Sequence, residues 1–400
     1  MGRARLAIVS DYLEEGWPSM DLVADMLTQE LAARPVGLAV SLLRPRFVRR
    51  LTRVGGAGGS KNLFNADRIL NRFVDYPRLL RARRNKFDLF HIIDHSYSHL
   101  AAAAGPERCV VTCHDLDTFR CIVEPHPEVR SVPYKAMTRR ILRGLQSAAV
   151  VTCDSAATRD EVLQYRIASP DRLSVNPNGV ANLFNPRPDT CADREADRLL
   201  GPLERDRIEI LHVGSTVPRK RIDLLLRLFA SLRRELPSPR LIRVGGGFTR
   251  LQRELINQLG LPSGSVIVLP FLVPEILAAV YRRAALALAP SESEGFGLPA
   301  LEALACGTPV VLSDIPALRE AGGPAATFCP VADIDRWTET ILGLLEERRS
   351  QPHIWAERAA VGALWASRFT WKDYAARAVQ LYETLRPVIE GWSRARGLPQ

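Results

Sequence analysis

No run in these 400 residues reaches the roughly 18 uninterrupted apolar positions of a membrane-spanning helix. The richest stretch, Leu269 to Tyr281, is broken by Pro270, Pro274 and Glu275. There is no C-x-x-C pair, and the seven cysteines are an odd number, which argues against a disulfide framework and for a reducing, cytoplasmic compartment. The opening Met-Gly-Arg-Ala-Arg is followed only by the short apolar run Leu6 to Val9, which reads as a strand and not as a secretory signal. Leu6 stands where myristoylation needs Ser or Thr. Zinc is short of ligands too: Cys109, Cys113 and His114 lie close together, but a fourth ligand and the usual spacing are missing. His91, His95 and His99 recur every fourth residue, yet Phe87 to Ile93 reads as a strand ending in a loop, so no metal stripe is expected there.

What is present describes an ordinary globular chain, 46% hydrophobic and 24% charged, long enough for two or three domains. Its net charge of +10 is unevenly placed. Between Arg44 and Lys86 stand thirteen Lys or Arg against only Asp67 and Asp75. Leu, Phe and Val are interleaved with these cations, as in Phe47-Val-Arg-Arg-Leu51. That pattern suits an anionic membrane surface or a phospholipid-linked acceptor, or a solvated face with no partner. Nucleic acid fits least, because no binding module accompanies the charge.

Short apolar runs alternate with longer helical patterns, which predicts an α/β chain with parallel sheets. Arg5 to Ser10, Phe87 to Ile93, Cys109 to Thr112, Ala148 to Thr152 and Leu173 to Val175 read as strands of a first sheet. Ile208 to Val213, Arg240 to Val244, Val266 to Leu269, Ala285 to Ala289 and Val310 to Leu312 read as a second. The join is expected between about Phe184 and Asp206, among Pro186, Pro188 and several charges. Gly55 to Ser60 reads as a mobile glycine-rich loop.

The most informative stretch is Ala289 to Glu320. Pro299 suits a first helical position and Gly307 the position just past the last turn, so a helix is expected over about Pro299 to Cys306. Its positive end faces Gly295, Phe296, Gly297 and Leu298, where backbone alone can bind a phosphate. Glu294 precedes the helix and Glu302 lies a turn inside it, one carboxylate on each side of a phosphate-sized gap. Carboxylates so placed can accept hydrogen bonds from hydroxyls at both ends of a sugar diphosphate, which points to a nucleotide sugar.

These residues also carry a resemblance. Glu294-Gly-Phe-Gly-Leu-Pro, Glu302-Ala-Leu-Ala-Cys-Gly-Thr-Pro-Val-Val and Ser313-Asp-Ile-Pro-Ala-Leu-Arg-Glu320 are similar to the donor region of the family-4 retaining glycosyltransferases (glycosyltransferase group 1). The resemblance implies the GT-B fold, two facing Rossmann-like domains with parallel sheets and a deep inter-domain cleft. It implies an acceptor-side domain over 1–185, a donor-binding domain over 186–371 and a final helix over 372–400 packed back on the first domain. It implies a metal-independent enzyme without cofactor, which moves a sugar from a nucleotide-diphosphate sugar to a glycan or lipid-linked acceptor. A nucleotide-sugar epimerase or hydrolase, or a non-catalytic binder, remains the alternative.

Within that resemblance Gly214, Ser215, Arg219 and Lys220 match the turn and cation pair that grip the donor diphosphate, Arg as a planar fork and Lys as a point charge. Glu294 is assigned to the transferred sugar, Glu302 to the ribose, and Phe271 and Leu272 to the base-binding loop. His114 resembles a catalytic residue of the first domain, and Gly16 belongs to its phosphate and acceptor loop, with Trp17 on the acceptor side. Asp115-Leu-Asp117 formally fits a metal-binding Asp-x-Asp, but its place after His114 assigns it to that loop, so no metal is expected. The chain departs from the pattern in having one glycine in that loop, in ending Asn178-Gly179-Val180 with Ala181, and in lacking a glycine after Phe271-Leu272.

Overall fold

The computed structural model describes residues 4–34, 37–54, 61–124, 129–204, 207–385 and 387; the glycine-rich stretch 55–60 lies outside them. The chain forms two compact units, one comprising Met1–Asn178 and Trp371–Gln400 and the other Gly179–Thr370. Residues 179–185, expected in the first domain, thus belong to the second unit.

The first unit is built on a parallel sheet of β1 (Ala4–Val9), β2 (Leu38–Leu43), β3 (Leu89–Ile92), β4 (Cys109–Cys113), β5 (Val150–Cys153) and β6 (Leu173–Val175). Their order is β2-β1-β3-β4-β5-β6. The run Leu6 to Val9 is apolar on both sides because both faces of β1 are covered. Leu6 and Ile8 face Val23 and Leu27 of helix Pro18–Ala32, together with Tyr374, Ala378 and Tyr382 of the last helix, Trp371–Thr384. Ala7 and Val9 face the opposite core, which includes Tyr12, Tyr76, Phe90 and Tyr97.

His91, on β3, secures the last helix. Its Nδ1 lies 2.7 Å from the Tyr382 hydroxyl and its Nε2 lies 2.8 Å from Thr112 Oγ1. Burial pushes its pKa down to about 3, so this ring is a neutral core histidine. His95 and His99 sit on a separate 3-10 segment, His95–Leu100, so the three do not share a helix face.

The second unit repeats the plan with β7 (Glu209–Val213), β8 (Arg240–Val244), β9 (Val266–Leu269), β10 (Leu286–Ala289), β11 (Val310–Ser313) and β12 (Thr327–Cys329). Their order is β12-β11-β10-β7-β8-β9, again parallel. Two strands escaped the sequence reading: β2 and β12, each at a sheet edge, where partial exposure shortens the apolar run. The stretch expected as a linker contains helix Thr190–Leu200, capped by Asp189, whose Oδ1 accepts from the Cys191 and Ala192 amides at 3.0 Å.

In both sheets the chain reverses direction across the sheet, between β1 and β3 in the first and between β7 and β10 in the second. Ligand crevices of open parallel sheets form at the carboxyl ends of such a pair. The residues that follow these strands are therefore placed where a ligand binds in folds of this kind.

Candidate functional site

In the second unit, β7 runs into a turn at Gly214 and Ser215, then a 3-10 turn, Pro218–Lys220, that launches helix Ile222–Glu235. Neighbouring β10 runs into the loop that ends at Gly297 and starts helix Leu298–Ala305. The two loops are tied by the Glu292 amide, which donates to the Arg219 carbonyl at 2.9 Å.

Three sequence-predicted residues meet here. Lys220 Nζ lies 2.5 Å from Glu294 Oε1, and Arg219 Nη1 lies 3.0 Å from Oε2. Ser291 Oγ donates to Oε1 at 2.7 Å, a contact the sequence did not suggest. The Glu294 side chain is 7% exposed, Lys220 12% and Arg219 23%. Burial alone would push the Glu294 carboxyl up, but Lys220 and Arg219 outweigh it and lower its pKa to about 2. It is a carboxylate at any working pH.

Glu302 sits on the same loop and helix under the opposite influence. It is buried, its Oε2 accepts from the Tyr281 hydroxyl at 3.0 Å, and burial raises its pKa to about 7 against that hydrogen bond. Carboxyl groups pushed apart in this way are a recurring feature of functional sites. Nothing in the sequence spacing identifies Tyr281 as its partner.

Two glycines are required by close approach. Gly297 has φ of 106°, and an added Cβ would lie 2.8 Å from Leu318 Cδ2. At Gly245 a Cβ would lie 2.2 Å from the Gly214 carbonyl oxygen, so the turns after β7 and β8 touch through backbone. Fully buried Arg243 donates from Nη2 to that Gly214 carbonyl at 3.0 Å. His212, next to the turn, is pushed down to about 3 by burial and by Arg243 and Lys220, hence neutral.

The remaining predicted residues divide. The Phe271 side chain is 59% exposed and Leu272 packs against the core. Phe296 is a core residue, its ring 5.8 Å from that of Phe369, and partly buried Leu298 packs against the same core.

In the first unit, Gly16 closes a short 3-10 turn, Leu13–Glu15, and Trp17 is half exposed. Buried Glu15 anchors this loop by accepting from the Tyr97 hydroxyl at 2.8 Å and pairing with Arg72 at 3.5 Å. His114 follows β4. Its Nδ1 lies 2.5 Å from Asp154 Oδ2 and its Nε2 2.7 Å from the Ile93 carbonyl. Burial works against its charge, but Asp154 and Asp94 raise its pKa to about 9, so both nitrogens carry protons. Both of its N–H groups are committed to partners within the unit.

Sequence reasoning missed what surrounds it. An aspartate stands one or two residues past the end of β1, β3, β4 and β5: Asp11, Asp94, Asp115 and Asp154. Asp11 is 2% exposed, and burial together with the Asp94 charge raises its pKa far above the usual carboxyl range. Asp94 is held low despite burial by His95 and His114. Asn178 Nδ2 donates to Asp154 at 3.0 Å. Asp115-Leu-Asp117 forms a local turn in which Asp117 N donates to Asp115 Oδ1 at 3.0 Å, and Arg120 pairs with Asp117. Among the described residues no cluster of three or more His, Cys, Asp or Glu could hold a metal ion.

The two acids of the basic block do not offset its exposed face equally. Buried Asp67 caps the turn at Leu51 by accepting from the amides of Arg50, Leu51 and Thr52 at 2.9 to 3.1 Å. Asp75 pairs with Arg50 at 2.7 Å. Val48, Leu51 and Ile69 are exposed beside the cations, at 43%, 40% and 47%. Among the described residues no helix is long and apolar enough to cross a membrane.

The comparisons agree with this anatomy. The model of "Glycosyl transferases group 1" matches residues 193–361, and that of "Glycosyltransferase Family 4" matches residues 21–181. The chain is 29% identical over 329 residues to O-antigen chain mannosyltransferase B of Escherichia coli, covering 78% of this chain and 80% of that protein. It is 30% identical over 345 residues to D-inositol 3-phosphate glycosyltransferase of Mycolicibacterium paratuberculosis, covering 80% of this chain and 72% of that protein. It spans about half the length of two further relatives of the latter kind, 53% and 49%. Among solved structures, sucrose-phosphate synthase from Thermosynechococcus elongatus superposes with a TM-score of 0.73 at 22% identity, over 96% of this chain and 100% of that one. Anabaena Alr3699/HepE in complex with UDP and glucose superposes with a TM-score of 0.70 at 17% identity, over 95% and 100%. The fold is GT-B, and the chain belongs to the group 1, family 4 glycosyltransferases.

Proposed function

We propose that the protein is a retaining, metal-independent glycosyltransferase that moves a hexosyl group from a nucleotide-diphosphate sugar to a hydroxyl of a glycan or lipid-linked saccharide in envelope polysaccharide biosynthesis. The observation that carries the reading is the pairing of buried Glu294 with Arg219 and Lys220 at the start of helix Leu298–Ala305. The two cations are held against the loop that leads into a helix N-terminus, and positive charge and free amides are what a diphosphate requires. In this reading Arg219, Lys220 and the Gly214-Ser215 turn bind the diphosphate, assisted by backbone from Gly295 to Leu298. Glu294 takes hydroxyls of the transferred sugar, Glu302 takes the ribose, and exposed Phe271 packs on the base. UDP in the Anabaena relative supports a nucleotide ligand, and the name of the Escherichia coli relative supports a polysaccharide product.

The second unit is the donor side and the first, with its last helix, the acceptor side. Gly16 allows close backbone approach and Trp17 offers a face for an acceptor sugar. His114 acts as a fixed positive charge that orders the strand ends around it. No carboxylate is identifiable as a nucleophile, so the reaction is a front-face displacement. The acceptor oxygen bonds to the anomeric carbon as the bond from that carbon to phosphate breaks. The acceptor proton passes to the departing phosphate oxygen. Arg219 and Lys220 supply the positive charge that a metal provides in other transferases. The cations of 44–86, with the apolar side chains among them, hold the enzyme peripherally on an anionic inner membrane face.

The test is thermal unfolding against nucleoside diphosphates and their sugars, with and without magnesium. A ligand at about a hundred times its dissociation constant stabilises by about 2.7 kcal/mol. A selective shift that needs no magnesium names the donor. Turnover of that donor without any acceptor identifies a hydrolase or epimerase instead, and binding without turnover a non-catalytic binder. A product of inverted anomeric configuration refutes the front-face step. Co-sedimentation with anionic but not zwitterionic vesicles tests the membrane assignment.

A further inference from the structure

Glu294 holds the two cations assigned to the diphosphate. Both its oxygens are occupied: Oε2 by Arg219 at 3.0 Å, Oε1 by Lys220 at 2.5 Å and by Ser291 at 2.7 Å. The group is buried, and Ser291 is wholly so. We infer, on the basis of the donor site proposed above, that Glu294 competes with the diphosphate for Arg219 and Lys220 and so favours the intact sugar nucleotide over the spent nucleoside diphosphate, promoting product release.

The argument is one of charge. Two cations and one carboxylate leave a single net positive charge at the grip. A sugar nucleotide brings its own hydroxyls, which can donate to Glu294 and compensate the carboxylate as its cations turn to the phosphates. Once the sugar has been transferred those donors are gone. The free terminal phosphate also gains an ionisation, near pH 6 for a phosphate monoester, that the sugar ester blocks. The product therefore meets an uncompensated carboxylate with one more negative charge than the donor had. Both raise the repulsion from Glu294, while the added charge is also drawn by Arg219 and Lys220, so the discrimination against the product is the carboxylate's own contribution. A carboxylate serving only as a counter-ion for folding would not distinguish the two ligands.

The experiment is calorimetric titration of the full chain with uridine and guanosine diphosphates and with their glucose and mannose esters. The proteins are the native chain, Glu294→Gln and Lys220→Ala. Glu294→Gln should bind the free diphosphate more tightly, on the order of tenfold for removal of a close like charge. Its preference for the sugar ester should shrink by at least as much. Lys220→Ala should weaken both. If Glu294→Gln leaves diphosphate affinity unchanged or weaker while Lys220→Ala lowers it, the competition is refuted and the donor site stands. If Lys220→Ala changes neither, the grip itself is wrong and the inference falls with it, as it does if no ligand binds any of the proteins. Should Glu294→Gln not fold, Glu294→Asp keeps the charge but withdraws it by one methylene. It must then tighten diphosphate binding in the same sense, by a smaller factor.

Discussion

Glu302 offers the most direct quantitative check, because its environment sets both a stability profile and a binding profile. Buried, with the Tyr281 hydroxyl 3.0 Å from Oε2, it is raised from 4.5 to about 7. At about 1.36 kcal/mol per pH unit, that difference corresponds to about 3 kcal/mol. The folded pKa is the higher one, so this stability is fully present below pH 4.5 and is lost as pH rises through 7. Urea unfolding of the native chain and of Glu302→Gln at pH 5 and pH 8 isolates it, since every other titrating group is common to both proteins. The native chain should lose about 2–3 kcal/mol more than the variant between the two pH values, since part of the contribution is already gone at pH 5. Equal losses refute the assignment of the raised pKa. The same carboxyl predicts binding: ribose hydroxyls donate to the charged form, so sugar-nucleotide affinity should fall as pH drops below 7 in the native chain and stay flat in Glu302→Gln. Tyr281→Phe removes that hydroxyl donor, which favours the charged form, and should move the midpoint of that profile upward.

Three further outcomes are expected. Lys220→Ala leaves the Glu294 carboxylate buried with one cation fewer and should destabilise the chain by about 3–5 kcal/mol in urea, the usual penalty for breaking a buried pair. Gly297→Ala forces a Cβ into a residue with φ of 106° and within 2.8 Å of Leu318 Cδ2, and should lower stability by about 1–3 kcal/mol and weaken diphosphate binding. His114 is raised from 6.5 to about 9, so its contribution is fully present below pH 6.5 and disappears as pH rises through 9; Asp154→Asn, measured by unfolding across that range, should flatten the fall.

How much of this was legible in the sequence differs between the two units for a physical reason. In the second, the loop and helix that carry Glu294, Gly297 and Glu302 are contiguous, so proline, glycine and acidic positions could be read together as one turn opening one helix. Only the cations come from elsewhere, and they too are adjacent, Arg219 and Lys220. In the first unit the equivalent edge is assembled from the ends of β1, β3, β4 and β5, each contributing a residue or two. His114 acquires its charge from Asp154, forty residues away, and its second acceptor from Ile93 on the other neighbouring strand. Neither partner can be chosen without the strand order, and no spacing rule supplies that. The recurrence of an aspartate just past four strand ends was visible, but without the order it could not be told from ordinary turn chemistry. Helix Thr190–Leu200 was hidden differently: Pro186 and Pro188 suggested a linker, whereas prolines just upstream of an Asp N-cap equally suit the entry to a helix. A charged residue's role is thus set by neighbours drawn from separate strands, which is why the contiguous loop and helix of the second unit could be read and the residues gathered at the strand ends of the first needed coordinates.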